Sequence, residues 1–432
     1  MAEQYTTYSQ ITTHRSCPQR WMYAYVRGLK KIDPEDVKVE LEFGNWWHAL
    51  RAADSIERGS AAGSLQWVPK RLKTVDDGPV IPIYTSIAEM VDLAAEDSLH
   101  LVDEVIAQAE QWWRGLPEAV KDQWIERIGA DLPTRLTYAD EQWHERWKED
   151  LPFEEPLAVE FYWRRDLPTL SDPETGEVAD PDTAMLGFID ELFYDTRRGF
   201  VVARDHKSSR ELGTRSSVDD MMDSQLQIYA WGASPTVTSW GRGPIKSVAY
   251  DRMKMVHPRP PSLTSSGNLA SRNGEPSISA SDLRTYLEWS AGPDGEGVPW
   301  RGAMLPKTAA EKEAEKNGET VERRYKQGGV YRTDPAIVER LSDPAAQSAW
   351  FQRTLTPLNR NVVMTHLRAS VDSAFDIRRT RFRVSESSEA ARNLTRNCKW
   401  CPFVELCRAE MTGGPGGDYD LASMRLVARE DS

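Results

Sequence analysis

The stretch from Leu157 to Val256 constrains the fold more than any other part of the chain, because its apolar residues follow first one period and then another. LAVEFYW, MLGFIDELFY and FVVARDHKS are short runs in which apolar residues alternate with polar ones or fill the segment, which is the pattern of strands. Arg197-Arg198-Gly199 supplies a hairpin connection between the second run and the third. Val218 to Trp231 then moves to helical spacing, and Ile245 to Val256 returns to a strand pattern. Three strands, a helix and a further strand predict an α/β fold built on a mixed sheet with flanking helices.

Around this 157–256 core the composition changes several times within the 432 residues, a length that suits two or three units. Residues 1–54 read as an N-terminal helical segment: Tyr8 to Leu50 is helix, turn, helix, with Trp21, Tyr23 and Tyr25 running up to Gly28 and a second helix over Glu42 to Ala53. Residues 55–156 form an acidic helical insertion, in which Leu93, Leu99, Val102, Val105 and Ile106 recur at helical spacing. Residues 257–335 are rich in Ser, Gly, Pro and charge and read as a partly mobile excursion with one helical piece, Leu283 to Trp289. Residues 336–410 are the C-terminal helical and cysteine-bearing region, helical over Ala336 to Ser373, and 411–432 are a polar tail that need not be ordered. No run of about 18 apolar residues occurs, and MAEQYTTYSQITTHR has neither a basic start nor an apolar stretch. A cytoplasmic location is expected.

A formal net charge of −13 argues, taken whole, against a polyanionic partner. The charge is unevenly spread. Ala88 to Glu155 carries 18 acidic and 6 basic residues, a net of −12, so the remainder is near neutral. His14 to Lys31 (five basic, no acidic), Thr196 to Arg215 (six against two) and Ile377 to Arg408 (eight against three) are locally basic. The acidic helical segment suits a lid or a protein-partner surface.

Cys17, Cys398, Cys401 and Cys407 are the four cysteines, the last three forming C-x2-C-x5-C within NCKWCPFVELC. In a cytoplasmic chain this spacing points to a metal or an iron-sulfur cluster rather than to disulfides. Cys398 and Cys401 converge through a short loop, Cys407 reaches the same centre from the next helix, and Cys17 is the candidate for the fourth sulfur. Such a set ties the two chain ends together. Zinc and [4Fe-4S] both accept four thiolates, and spacing does not separate them.

The strand runs carry a second constellation. Asp190 ends GFID, and Asp205 and Lys207, two apart on an extended strand, point to one face. Carboxylates on neighbouring strands suit Mg2+ or Mn2+, and a lysine beside them suits the orientation of an attacking water. His48 lies in GNWWHAL, where the alternative is a hydrogen-bonded core histidine; Glu160 on the first strand is a reserve carboxylate; and the His206 imidazole should face away, leaving its backbone to contact an ion. GFID, then DHK fifteen residues later, then Gln225-Leu226-Gln227-Ile228-Tyr229 resembles the PD-(D/E)xK nuclease superfamily, in particular its RecB-like branch with a Q-x-x-x-Y motif. With SCPQRWMYAYVRGL, GNWWHAL and C-x2-C-x5-C added, the likeness is closest to the four-cysteine exonucleases of the CRISPR-associated Cas-four type and to AddB-like nucleases. It covers Tyr8 to Leu50, Leu157 to Val256 and Ala336 to Arg408.

The resemblance implies a restriction-endonuclease-like core with Asp190 and Asp205 as metal-binding carboxylates, His48 as a ligand or neighbour of the metal, Lys207 as the motif lysine, and Gln225 and Tyr229 on the helix face beside the site. It also implies that Cys17, Cys398, Cys401 and Cys407 hold a [4Fe-4S] cluster that clasps the chain ends. The expected activity is Mg2+- or Mn2+-dependent phosphodiester hydrolysis, as an exonuclease on single-stranded DNA or DNA ends, with recombination or repair, CRISPR adaptation and phage DNA metabolism all open as its setting. Two alternatives remain at this stage: a non-catalytic cluster-containing DNA-binding subunit, and a zinc-stabilised interaction protein.

Overall fold

The computed structural model describes residues 5–31, 39–73, 80–82, 86–171, 178–179, 181–212, 223–259, 261, 271–272, 275–276, 282–300, 305–322, 324, 328–342, 350–387, 390–413, 421, 424 and 426–428. Strand β1 (Tyr5–Thr7) leads directly into α1 (Tyr8–Ser16), whose first turn is capped by the Thr7 hydroxyl accepting from the Gln10 N–H at 3.2 Å. Cys17 is extended, and Pro18 opens the next helical turns, which run to Val26 and end before Gly28 at φ 62°. Strand β2 (Leu29–Lys31) and the long helix α2 (Val39–Ala61) follow. The acidic segment forms four helices, α3 (Ile87–Ala95), α4 (Leu101–Gly115), α5 (Glu118–Ile128) and α6 (Leu132–Trp147). They share a core with α2 that includes Trp46, Trp124, Trp143, Met253 and Phe351. The insertion therefore packs against the sheet through α2.

The central sheet contains β3 (Glu154–Asp166), β4 (Ala184–Asp195), β5 (Phe200–Ser209), β6 (Ile245–Lys254) and β7 (Phe351–Pro357), together with β1. β3 and β4 pair antiparallel along nearly their whole length, while β5 and β6 are parallel, so the sheet is mixed. Because β3 occupies one edge of β4, the other edge is shared. β5 takes it from Glu191 to Asp195 and β1 takes it from Ala184 to Leu186. The strands fork between these two ladders, at residues 187–190. Helix α7 (Ser224–Val237) covers one face with Leu226, Ile228 and Ala230 in the larger core.

After β6 come α8 (Leu283–Ala291), α9 (Ala309–Lys316), α10 (Pro335–Ser342), α11 (Arg360–Ser387) and α12 (Val404–Gly413). Three features differ from the sequence expectation. Helical spacing predicted over Ala336 to Ser373 is interrupted by β7, whose Phe351, Arg353 and Leu355 alternate against β6 in an antiparallel ladder. The excursion holds a second helix, α9, begun by a capping box between Thr308 and Glu311. In the tail, β8 (Leu426–Ala428) pairs antiparallel with β2. Residues 218–222 of the expected helix, much of 262–281, and 414–420 of the tail lie outside the described residues. Among the described residues, no helix is long and apolar enough to cross a membrane.

Candidate active site

The fork is where the polar side chains gather. Register pairs Val159↔Glu191 and Phe161↔Ile189 set Glu160 opposite Asp190, and Glu160 has φ 48°, a left-handed backbone that non-glycine residues seldom adopt. His48, near the middle of α2, brings Nδ1 to 3.2 Å from Asp190 Oδ2. His48, Glu160 and Asp190 offer one ligand atom each within 4.8 Å of one another, the set among the described residues that could hold a metal ion. The reserve carboxylate thus joins the group, and Asp205 stands beside it. The Asp205 carboxylate is held instead by Lys207, whose Nζ is 2.9 Å from Oδ1 and 2.8 Å from Oδ2.

The charges explain why these groups suit a cation. Burial, then repulsion from Asp190, pushes the Glu160 carboxyl up to about 8; the same two causes, in the same order, push Asp205 up to about 6. Burial acts against charge on His48 too, but Asp190 outweighs it and holds the imidazole at about 9. Asp190 stays ionised despite burial because His48 faces it, and the His206 backbone N–H donates to its Oδ2 at 2.7 Å. Three carboxylates this close repel unless a cation lies between them, and two or three carboxylate oxygens match the preference of Mg2+ and Mn2+ for oxygen donors, with the imidazole suiting Mn2+ better than Mg2+. His48, Glu160 and Asp190, with Asp205 adjoining, therefore fit a divalent metal.

Helix α7 closes the other side. Asp223 caps it, accepting from the Gln225 N–H at 3.0 Å, and the Tyr229 hydroxyl is hydrogen-bonded to the Gln225 side chain. Tyr229 lies within electrostatic reach of Asp205 and Lys207. Its ring packs edge-on to Trp163 at 5.4 Å and covers Gly187, where an added Cβ would sit 2.9 Å from the ring. The glycine of GFID is needed for that close approach. His206 alternates away from Asp205, as expected, and its buried ring lies 3.8 Å from Glu191 and 6.5 Å from the His48 ring.

Behind the fork runs a buried ion network absent from the sequence reading. Arg204, fully buried, donates to Glu191 Oε2 at 2.7 Å and Glu154 Oε2 at 2.5 Å. Arg353 pairs with Asp251 and with Glu154 at 2.7 Å; Ser55 and Arg58 on α2 reach Glu191 at 3.0 and 3.4 Å. An arginine inside the apolar run FVVARD was the available signal, since a buried charge requires partners.

The four cysteines lie at the junction of the chain ends. The Gln19 N–H donates to Ala391 O at 3.0 Å, the Ala390 N–H to Gln19 Oε1 at 2.9 Å, and Asn393 Nδ2 to Ser16 O at 2.9 Å. Burial raises the Cys401 and Cys407 thiols, and in each Cys17 adds to the rise, so these three sulfurs lie within electrostatic reach of one another. The Cys401 N–H donates to Cys398 O at 3.0 Å, forming the short loop of the motif. All four are half-buried. Four thiols from both chain ends are the donor type that tetrathiolate zinc or an iron-sulfur cluster takes, but their sulfurs do not converge into one ligand group here: among the described residues that gathering is found at His48, Glu160 and Asp190, and Cys398 Sγ instead accepts from the Thr395 N–H at 3.4 Å.

Glu410 on α12 joins the same ends, accepting from Gln19 at 3.2 Å, Tyr23 at 2.5 Å, Arg27 at 2.7 Å and Arg392 at 3.1 Å. No curated protein sequence matches the chain. A family profile does match, across residues 5–408, spanning the fork, α7 and the cysteine junction. On that match, the chain belongs to the PD-(D/E)XK nuclease superfamily.

Proposed function

We propose that this protein is a Mg2+- or Mn2+-dependent DNA exonuclease acting on single strands or DNA ends. The observation that carries the reading is the fork, where His48, Glu160 and Asp190 offer ligand atoms to one ion and Asp205-Lys207 lies alongside. His48, Glu160, Asp190 and Asp205 hold the ion, which when bound supplies Lewis acidity toward a phosphoryl oxygen and a water. Lys207 balances charge on the phosphate and orients the attacking water by hydrogen bonding. Gln225 and Tyr229, joined to each other, set the position of Asp205 and Lys207 from α7 and meet the substrate strand. The basic stretches near Cys17, around Asp205 and before Cys398 follow the DNA backbone.

Cys17, Cys398, Cys401 and Cys407 hold a [4Fe-4S] cluster with a structural role, and the RecB-like resemblance favours this over zinc. The acidic helices α3–α6 face a protein partner or keep duplex DNA from the site. Anaerobic purification, iron and zinc analysis, and incubation with end-labelled DNA and Mn2+ test the reading together. Iron near four per chain and Mn2+-dependent shortening from one end are expected. Cleavage undiminished in Asp205→Ala would remove the assignment of the site, and zinc without iron would remove the cluster.

A further inference from the structure

Beside the ligand group lies an exposed aromatic pair that neither the fold nor the metal explains. Tyr162 on β3 and Phe188 on β4 are direct register partners, with ring centroids 5.3 Å apart and planes at 54°. They are 42% and 55% exposed, whereas their strand neighbours Trp163 and Gly187 are buried beneath Tyr229 and α7. Alternation turns the pair to the side opposite α7. Each ring stands two residues beyond a ligand on its own strand, Tyr162 from Glu160 and Phe188 from Asp190, so the pair begins about 7 Å from the ion site at the usual rise per residue. Arg164, also exposed, follows in the next row opposite Leu186.

The succession along these two strands is therefore metal ligands, aromatic rings, cation. A nucleic-acid strand presents the same succession: a scissile phosphate, the base of the adjoining nucleotide, then the next phosphate. A paired base is stacked within its duplex and has no free face to offer, whereas an unpaired base does. Large exposed rings in a pair also lose apolar contact with water when a base covers them.

We infer that Tyr162 and Phe188 form a stacking platform for the unpaired base next to the scissile phosphate, and that this pair makes the site selective for single-stranded DNA. The inference rests on the nuclease reading of the fork and names the substrate feature that the fork selects. Neither ring touches the ion, so both determine specificity without taking part in the chemistry.

The test uses the full chain and two fluorescently labelled oligonucleotides of equal length, one a normal single strand and one in which abasic nucleotides keep the phosphates and remove the bases. Binding is read by anisotropy with Ca2+, and cleavage separately with Mn2+. The wild-type protein should bind the normal strand about tenfold more tightly than the abasic strand. Tyr162→Ala/Phe188→Ala should lose that ratio by weakening on the normal strand alone, while Tyr162→Phe retains it. Equal wild-type affinity for the two strands, or an unchanged ratio in the double variant, would overturn the platform. Absence of Mn2+-dependent cleavage by the wild-type protein would instead overturn the nuclease reading, a separate outcome because the anisotropy ratio is measured without turnover.

Discussion

Holding a non-glycine residue at φ 48° costs on the order of 1–3 kcal/mol, and Glu160 is held there because the turn of its backbone faces its carboxylate toward Asp190 and His48. Glu160→Gln keeps the shape and removes the charge, so the Mn2+ concentration for half-maximal cleavage should rise by about tenfold or more. A titration with Mn2+ measures this directly. Lys207→Ala should behave differently: cleavage should fall by roughly 10²–10⁴-fold with Mn2+ affinity changed less than in Glu160→Gln, because Lys207 offers the ion no ligand atom and reaches the site through its contact with Asp205. Asp190, Asp205 and Lys207 were legible because strand alternation and motif spacing give their placement. Glu160 was half legible, since its facing depends on a backbone irregularity that no period announces. Tyr162 and Phe188 were not legible, because an aromatic in a strand reads as core until its partner and its exposure are known.

At the scale of elements, the catalytic strands are braced from behind by charges rather than by apolar contacts alone. Arg204→Met would leave Glu154, Glu191 and Asp251 without their shared cation, and unfolding in urea should show a loss of about 3–5 kcal/mol. The strand-helix-strand order of the core could be read from period, as could the helical character of the acidic insertion. β7 could not, for FQRTLTP is short, and its strand conformation comes from pairing with β6, a long-range contact. β1 is legible for the same reason only after the fact: three residues carry no period, and their role is to fill the edge of β4 that β5 vacates.

Across the whole molecule, buried ion pairs hold distant sequence together, as would the proposed cluster on the four thiols, and the two respond to different insults. Asp251, between Arg353 and Arg204, titrates at about 2 in spite of its burial, and Asp54, facing Arg58 and Arg51, lies lower still. Both folded values are depressed below the unfolded carboxyl near 3.9, so the stability they contribute is fully present above about pH 5 and is lost as pH falls toward 2. Thermal unfolding at stepped pH should show a melting temperature that drops through that acid window. Cys401→Ser acts on the cluster: the melting temperature should fall at neutral pH, together with iron content, while Asp205→Ala leaves both unchanged. Even without the thiols, the ends meet through Glu410 and through the pairing of β2 with β8. That pairing joins Leu29 to Ala428, so during synthesis at about 5–20 residues per second the edge of β2 must wait some 20–80 s for its partner to leave the ribosome. For that interval Cys17 and an open strand edge are presented to solvent together, so the nascent chain exposes a thiol and an unpaired edge that the finished fold covers.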